Sequence, residues 1–272
     1  MAQRFAIILF ATGAALLGTN LLGFVHHTEI ENGDWVVFDS RPRTLSADEF
    51  WEEARRGPDE SEDSYVRRLT DLISDRFLLA DSAHTKPTFF ENWLLWNRAR
   101  SRGEYEWTDT RRAVRLGGGF CSQHAIVFDN ILNDQGIESR ILALSGHVVN
   151  EARIDERWRV CDPDYGIVFD HSLEALERSP ETVYEVYRAW GRPHDEAEGW
   201  REIFATRDDN TAYESAVDYR GDDASFERAA LYLVWIVPIA LLAAGGFCAA
   251  IHARNRVGVN PIEDEVDPVS HQ

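Results

Sequence analysis

Lysine is nearly missing from this chain. Lys86 is the sole lysine among 28 basic residues, set against 47 acidic ones, for a net charge of −19. That balance excludes a nucleic-acid partner, because binding a phosphate backbone needs a basic face. The arginine preference reads as genome bias, and the acidity also fits life in salt. Cysteine is scarce too. Three cysteines in 272 residues exclude a disulfide framework. Cys248 lies in an apolar run, which leaves Cys121 and Cys161 to explain. There is no internal repeat, and the length suits one ordinary domain plus additional segments.

Charge is absent from two long stretches. Phe5 to Val25 and Ala229 to Ile251 carry none. Each is about as long as the ~20 residues a spanning helix needs. Pro238 interrupts the second, which membrane helices tolerate. A cleaved signal peptide is the alternative for the first stretch, but no small-x-small site ends it, so an uncleaved anchor is expected. Arg4 precedes the first stretch, and Arg254 and Arg256 follow the second, while the inner flanks are acidic. Positive charge stays in the cytoplasm. The expected organisation is an anchor over 1–25, an extracytoplasmic domain over 26–228, a second spanning helix over 229–251 and a cytoplasmic tail over 252–272. The end of that tail, "NPIEDEVDPVSHQ", reads as disordered. His26 and His27 read as interfacial residues at the membrane exit.

The outward domain begins with helical patterns. Ser46 and Glu49 have capping-box spacing, and Gly57 ends that helix. Val66, Leu69, Ile73 and Phe77 form one helical stripe, expected to pack in a core. Trp93 and Trp96, in an aromatic-rich segment, are expected to pack as well. Ala125, Phe128 and Leu132 share a helix face that Gly136 can end. "IESRILALSG", "HVVNEARI" and "RWRVCDP" read as three strands. A further helix opens at Ser179, Pro180 and Glu181 and closes at Gly191. Helices followed by an antiparallel sheet make an α+β domain.

Chemistry concentrates around "GGGFCSQHA". Cys121 stands between three glycines and an apolar helix. A helix N-terminus favours the thiolate, which is the reactive form of a cysteine. Gly117 to Gly119 are expected to let the backbone turn tightly and to leave space in front of Cys121. If Asp155 and Glu156 form a two-residue loop, Ile154 pairs with Arg157 and Val149 with Asp162. His147 and Asp162 then share a face as diagonal neighbours, roughly 7–8 Å apart at the backbone. Cys161 turns to the other face. An imidazole beside the thiol and a carboxylate behind the imidazole would complete a nucleophile, base and orienter.

The segment from Gly117 to Gly166 resembles the core of the transglutaminase-like superfamily. The resemblance rests on an ordered set: a glycine-rich approach to a cysteine at a helix start, "GIESRIL", a histidine opening a strand, and Trp158 four residues before "DPDYG". It covers about residues 115 to 167. "HVVNE" and "DERW" depart from it where members commonly have an aromatic after the histidine and a glycine in the turn. The resemblance implies a papain-like core of helices packed on an antiparallel sheet, flanked here by two transmembrane helices. It implies Cys121 as nucleophile, His147 as general base and then acid, and Asp162 as orienting carboxylate. The Cys121 backbone N–H would form part of an oxyanion hole, with Gln123, Asn92 and Trp93 as candidate second donors. A membrane-anchored cysteine enzyme acting on amide bonds of a protein or peptide is the implied activity. It uses a thioester intermediate and no cofactor, and membrane protein partners are expected alongside.

Rival readings exist for the same residues. The domain could be catalytically inactive and bind a partner in a membrane assembly, for instance one that exports a surface polymer. Cys121, His124, His147 and Cys161 could form a zinc site, but the hairpin turns Cys161 away from His147. The same face argument opposes a Cys121–Cys161 disulfide. His124, one turn after Cys121, is expected at the surface.

Overall fold

The computed structural model describes residues 2–25, 29–30, 44–80, 84–101, 105–207 and 210–257. His26, His27 and the acidic tail segment lie outside the described residues. The chain is mixed helix and antiparallel sheet, as the patterns predict. Helix α1 (Ala2–Val25) comes first. Helix α2 (Ala47–Glu53) starts with the expected capping box, Ser46 and Glu49 bonding each other's backbone. Helix α3 (Glu62–Arg76) buries Val66, Leu69 and Ile73. The short α4 (Trp93–Ala99) and α5 (Thr110–Leu116) follow, capped by Asn92 and Asp109. Two-residue strands β1 (Leu78–Leu79) and β2 (Gly118–Gly119) pair in parallel and deliver the chain into α6 (Cys121–Asp134).

The main sheet holds β3 (Ser139–Leu144), β4 (His147–Ile154), β5 (Arg157–Asp162), β6 (Ile167–Val168) and β7 (Thr211–Tyr213), in the order β6-β5-β4-β3-β7. The β4–β5 register places Ile154 opposite Arg157 and Asn150 opposite Cys161, as a two-residue turn requires. Asp155 and Glu156 make that turn at positive φ, 49° and 63°. This is the backbone of a type I′ hairpin, built without its usual glycine.

The sheet's two faces meet different helices. Ala152, Ile154 and Cys161 join a core with α3, α5 and α6. Leu142, Val149 and Val160 join another with α7 (Leu173–Arg178), α8 (Glu181–Ala189) and α9 (His194–Ala205). Sequence patterns reveal α8 but leave α7, α9 and the following α10 (Ala216–Arg220) unread.

The last helix, α11 (Asp222–Val257), has 36 residues. At 1.5 Å per residue it is about 54 Å long, well beyond the ~30 Å of bilayer hydrocarbon. Helices α1 and α11 are each long and apolar enough to cross a membrane, and most of each apolar stretch is exposed. They pack on each other. A Cβ at Gly13 would lie 2.8 Å from the Pro238 carbonyl, and one at Gly245 would lie 2.9 Å from the Phe10 nitrogen. Pro238 has no N–H, so the Val234 carbonyl loses its helix partner. Asn20 Nδ2 of α1 donates to that carbonyl at 2.5 Å.

The upper turns of α11 belong to the domain. The buried Glu227 carboxylate accepts from the Thr108 and Asp109 N–H groups and the Tyr105 hydroxyl. Arg98 pairs with Asp223 at 2.7 Å, and Asn92 Nδ2 donates to the Ala230 carbonyl at 3.2 Å. Residue 228, expected as the domain's end, therefore lies inside a continuous helix.

Candidate active site

Three glycines bring the chain to Cys121, each for a different reason. Gly117 ends α5 in the left-handed conformation, φ 69°. Gly118 lets the strand pass close to Ile30, whose Cδ1 would be 2.7 Å from a Cβ there. Gly119 makes room for Gln123, whose Cβ would be 2.5 Å from a Cβ at that position. The last two glycines thus allow close packing behind the cysteine, where a cleared space in front of it is expected from sequence. Phe120 is an extended N-cap with no side-chain bond, and no acidic residue stands in the first turn of α6. The positive end of the helix is left to the cysteine.

Cys121 lines a cleft of about 870 Å³ together with His147, Asp164, Tyr165, Trp200 and Tyr219. Cys121 is partly exposed and shares the cleft with His147. His147 is 2% exposed, and its Nε2 lies 2.9 Å from Asp162 Oδ2. With Nε2 engaged, Nδ1 is the nitrogen left for the thiol. Asp162 is fully buried. It also accepts from the Tyr187 hydroxyl and, through Oδ1, from the Asp164 N–H at 3.2 Å. Burial alone would push the His147 imidazole down. The Asp162 carboxylate and the Cys121 sulfur outweigh it and hold the imidazole well above its ordinary value. The three residues singled out from sequence are therefore brought together: Cys121 and His147 line one cleft, and Asp162 holds the far side of the imidazole.

No family model matches the chain, and no curated protein matches it. What the site can do rests on its own chemistry.

A partly exposed thiol at a helix start, with an imidazole beside it whose far nitrogen is held by a carboxylate, is placed to attack an electrophilic carbonyl and then return a proton. Aromatic rings cover His147. Trp200 lies over His147, ring centroids 4.4 Å apart, and Tyr165 meets it edge-on at 6.0 Å. Tyr187 stacks on Trp200 at 5.5 Å. These rings come from α8, α9 and the loop after β5, and sequence reasoning missed them. The stripe of Val183 and Tyr187 on α8 says that the helix packs; nothing local says that Tyr187 reaches the Asp162 carboxylate. On the opposite wall, Glu106 accepts from the Ser122 hydroxyl and pairs with Arg220 at 3.3 Å. Burial first, then the charges of Glu106 and Cys121, push the Tyr219 phenol up.

Other sequence candidates fall elsewhere. Gln123 is buried and clamps Trp107, accepting from its N–H at 2.6 Å and donating to its carbonyl at 2.9 Å. Asn92 caps α4. Neither they nor Trp93 line the cleft. His124 is 1% exposed, against the expected surface position. Helix α3 covers that face of α6, so Phe77 meets the His124 ring at 5.2 Å. His124 Nδ1 lies 3.1 Å from Asp164 Oδ1, at ion-pair distance but off the hydrogen-bond line. Cys161 is buried on the α6 face of the sheet, and burial pushes its thiol up. The four residues of the zinc reading do not converge, and no cluster of three such ligands occurs among the described residues.

Proposed function

We propose that this protein is a membrane-anchored, transglutaminase-like cysteine enzyme that cleaves or transfers acyl groups at amide bonds of a protein or peptide. One observation carries the reading: a partly exposed Cys121 at the start of α6 shares a cleft with His147, whose Nε2 is held by the buried Asp162. The order helix-borne cysteine, strand-borne histidine, next-strand aspartate supports a papain-like core. Cys121 sulfur attacks the amide carbonyl carbon, and the C–N bond breaks as protonated His147 gives its proton to the leaving amine. The thioester that remains is attacked by water or by an amine. His147 takes the proton of that acceptor, and the C–S bond breaks to restore the thiol. Water yields hydrolysis; an amine yields a cross-link. The charge flanks of α1 and α11 support a two-pass topology with both termini in the cytoplasm and the domain outside.

The test uses the full chain in detergent, because α11 is shared between domain and hairpin. Iodoacetamide should alkylate Cys121 at pH 7 at least about tenfold faster than in His147→Ala, a loss of about 1.4 kcal/mol of activation. A fluorescent primary amine should enter a glutamine-rich acceptor protein with the wild type and not with Cys121→Ser, or ammonia or peptide should be released instead. Equal alkylation in wild type and His147→Ala would refute the reading.

A further inference from the structure

Two phenylalanines stand where a domain in water would hide them. Phe89 is 38% exposed and Phe90 52%. The turn that carries them is held firmly. The Thr88 N–H donates to Glu91 at 2.9 Å, and the Glu91 N–H donates back to Thr88 Oγ1 at 3.2 Å. The Glu91 carboxylate also receives the Arg112 guanidinium. The rings are therefore held outward by a closed turn.

The position of this turn is set by both apolar helices. The Phe90 backbone sits against α1 at Gly23, where a Cβ would lie 1.8 Å from the Phe90 carbonyl oxygen. Asn92, two residues on, holds the Ala230 carbonyl of α11 at 3.2 Å. Gly23 and Ala230 lie at the outward ends of the uncharged stretches 5–25 and 229–251. The turn is thus fixed at the level where both helices leave the hydrocarbon. Its neighbours suit that depth. Phe89 packs edge-on against Trp96 at 5.1 Å, and the exposed Arg100 lays its guanidinium over Trp96 at 4.8 Å. Aromatic rings settle at headgroup level, and arginine reaches from there to phosphate.

We propose that the 88–91 turn is a third membrane contact, in which Phe89 and Phe90 enter the interfacial zone of the bilayer with Trp96 and Arg100 at headgroup level. The inference rests on the two-pass reading above. Lipid is the occupant because the turn continues the exposed apolar surface of α1, where Leu22 is 53% exposed. Nitroxide labels on the full chain in phosphatidylcholine–phosphatidylglycerol vesicles test it, in a Cys121→Ser, Cys248→Ala background with the buried Cys161 left in place. The labelled positions are Phe90→Cys, Leu22→Cys as the hydrocarbon reference and Glu174→Cys as the water reference, its side chain being 79% exposed. The ratio of oxygen to nickel-chelate collision rates at position 90 should be severalfold above that at 174 and approach that at 22. A ratio at 90 equal to that at 174, with 22 in lipid, overturns the docking and leaves the two-pass reading standing. Water-like values at 22 as well would sink the membrane reading and the docking together. A label at 90 shielded from both probes would mean that protein covers the turn, which also overturns the proposal.

Discussion

Exchanging Asp162 for asparagine alters one face of one side chain and should silence Cys121 without unfolding the domain. Oδ1 can still accept the Asp164 N–H. The other position, which holds His147 Nε2 at 2.9 Å and the Tyr187 hydroxyl, becomes an NH2 group. An NH2 group can donate only to an unprotonated Nε2. The imidazolium is disfavoured, and the neutral ring must carry its proton on Nδ1, toward the sulfur. A hydrogen bond to a charged partner contributes about 1.5–3 kcal/mol. Its loss disfavours the His147 imidazolium by that amount, tenfold for about every 1.36 kcal/mol. The population carrying both imidazolium and thiolate falls by about ten- to a hundredfold, and alkylation of Cys121 at pH 7 should slow by the same factor. Mass spectrometry of the Cys121 peptide after timed iodoacetamide pulses reads the rate, and circular dichroism reads the fold. Asp162→Asn in the background of His147→Ala should add no further loss, because the carboxylate acts through the imidazole. A folded Asp162→Asn variant that alkylates at the wild-type rate refutes the orienting role.

Asp129 is buried on α6, accepting from Ser139 Oγ at 2.6 Å and from the Ala216 N–H at 2.9 Å, so it ties the sheet to the start of α10. Burial raises its carboxyl from 3.8 to about 6 despite those bonds. A raised folded value means that the native state holds its proton more tightly than the unfolded chain, so this group's contribution to stability falls as pH rises from about 4 to about 6. Asp129→Asn should recover up to about 3 kcal/mol at pH 7, read as a urea midpoint that no longer declines across that window; an unchanged slope counts against it. In the hairpin, Asn20→Leu strands the carbonyl that Pro238 frees at Val234. It should weaken α1–α11 packing by about 0.6–2 kcal/mol, measured by steric trapping in bicelles, while Asn20→Leu combined with Pro238→Ala should recover the loss.

The residues that could be placed from sequence are those whose geometry is set within a few neighbours. A hairpin has period two, and its loop length sets the register, so pairing Ile154 with Arg157 was enough to bring His147 and Asp162 to one face and turn Cys161 to the other. Asp155 and Glu156 lack the glycine that would announce a type I′ turn, yet the alternation on both sides overrides their preference. What could not be read is what arrives from far along the chain. Helix periodicity marks a buried face without naming what it meets. Trp200 therefore gave no sign that it covers His147, nor Tyr187 that it bonds Asp162, and His124 looked like a surface residue until α3 was laid across it. The glycines before Cys121 show the same limit: their spacing pointed to a special backbone, but only the contacts with Ile30 and Gln123 say what the missing side chains make room for. The consequence for chemistry is a division of labour. The proposed nucleophile, base and orienter are local to one helix start and one hairpin, while the cover over His147 and the walls of the cleft depend on α8, α9 and α10. Helix α10 leads through Gly221 into α11, whose apolar length begins only about 12 Å further on, at 1.5 Å per residue from Asp222 to Ala230. One wall of the cleft is thus built on the foot of the long apolar helix α11, so Cys121 and the α1–α11 hairpin are parts of one packed unit.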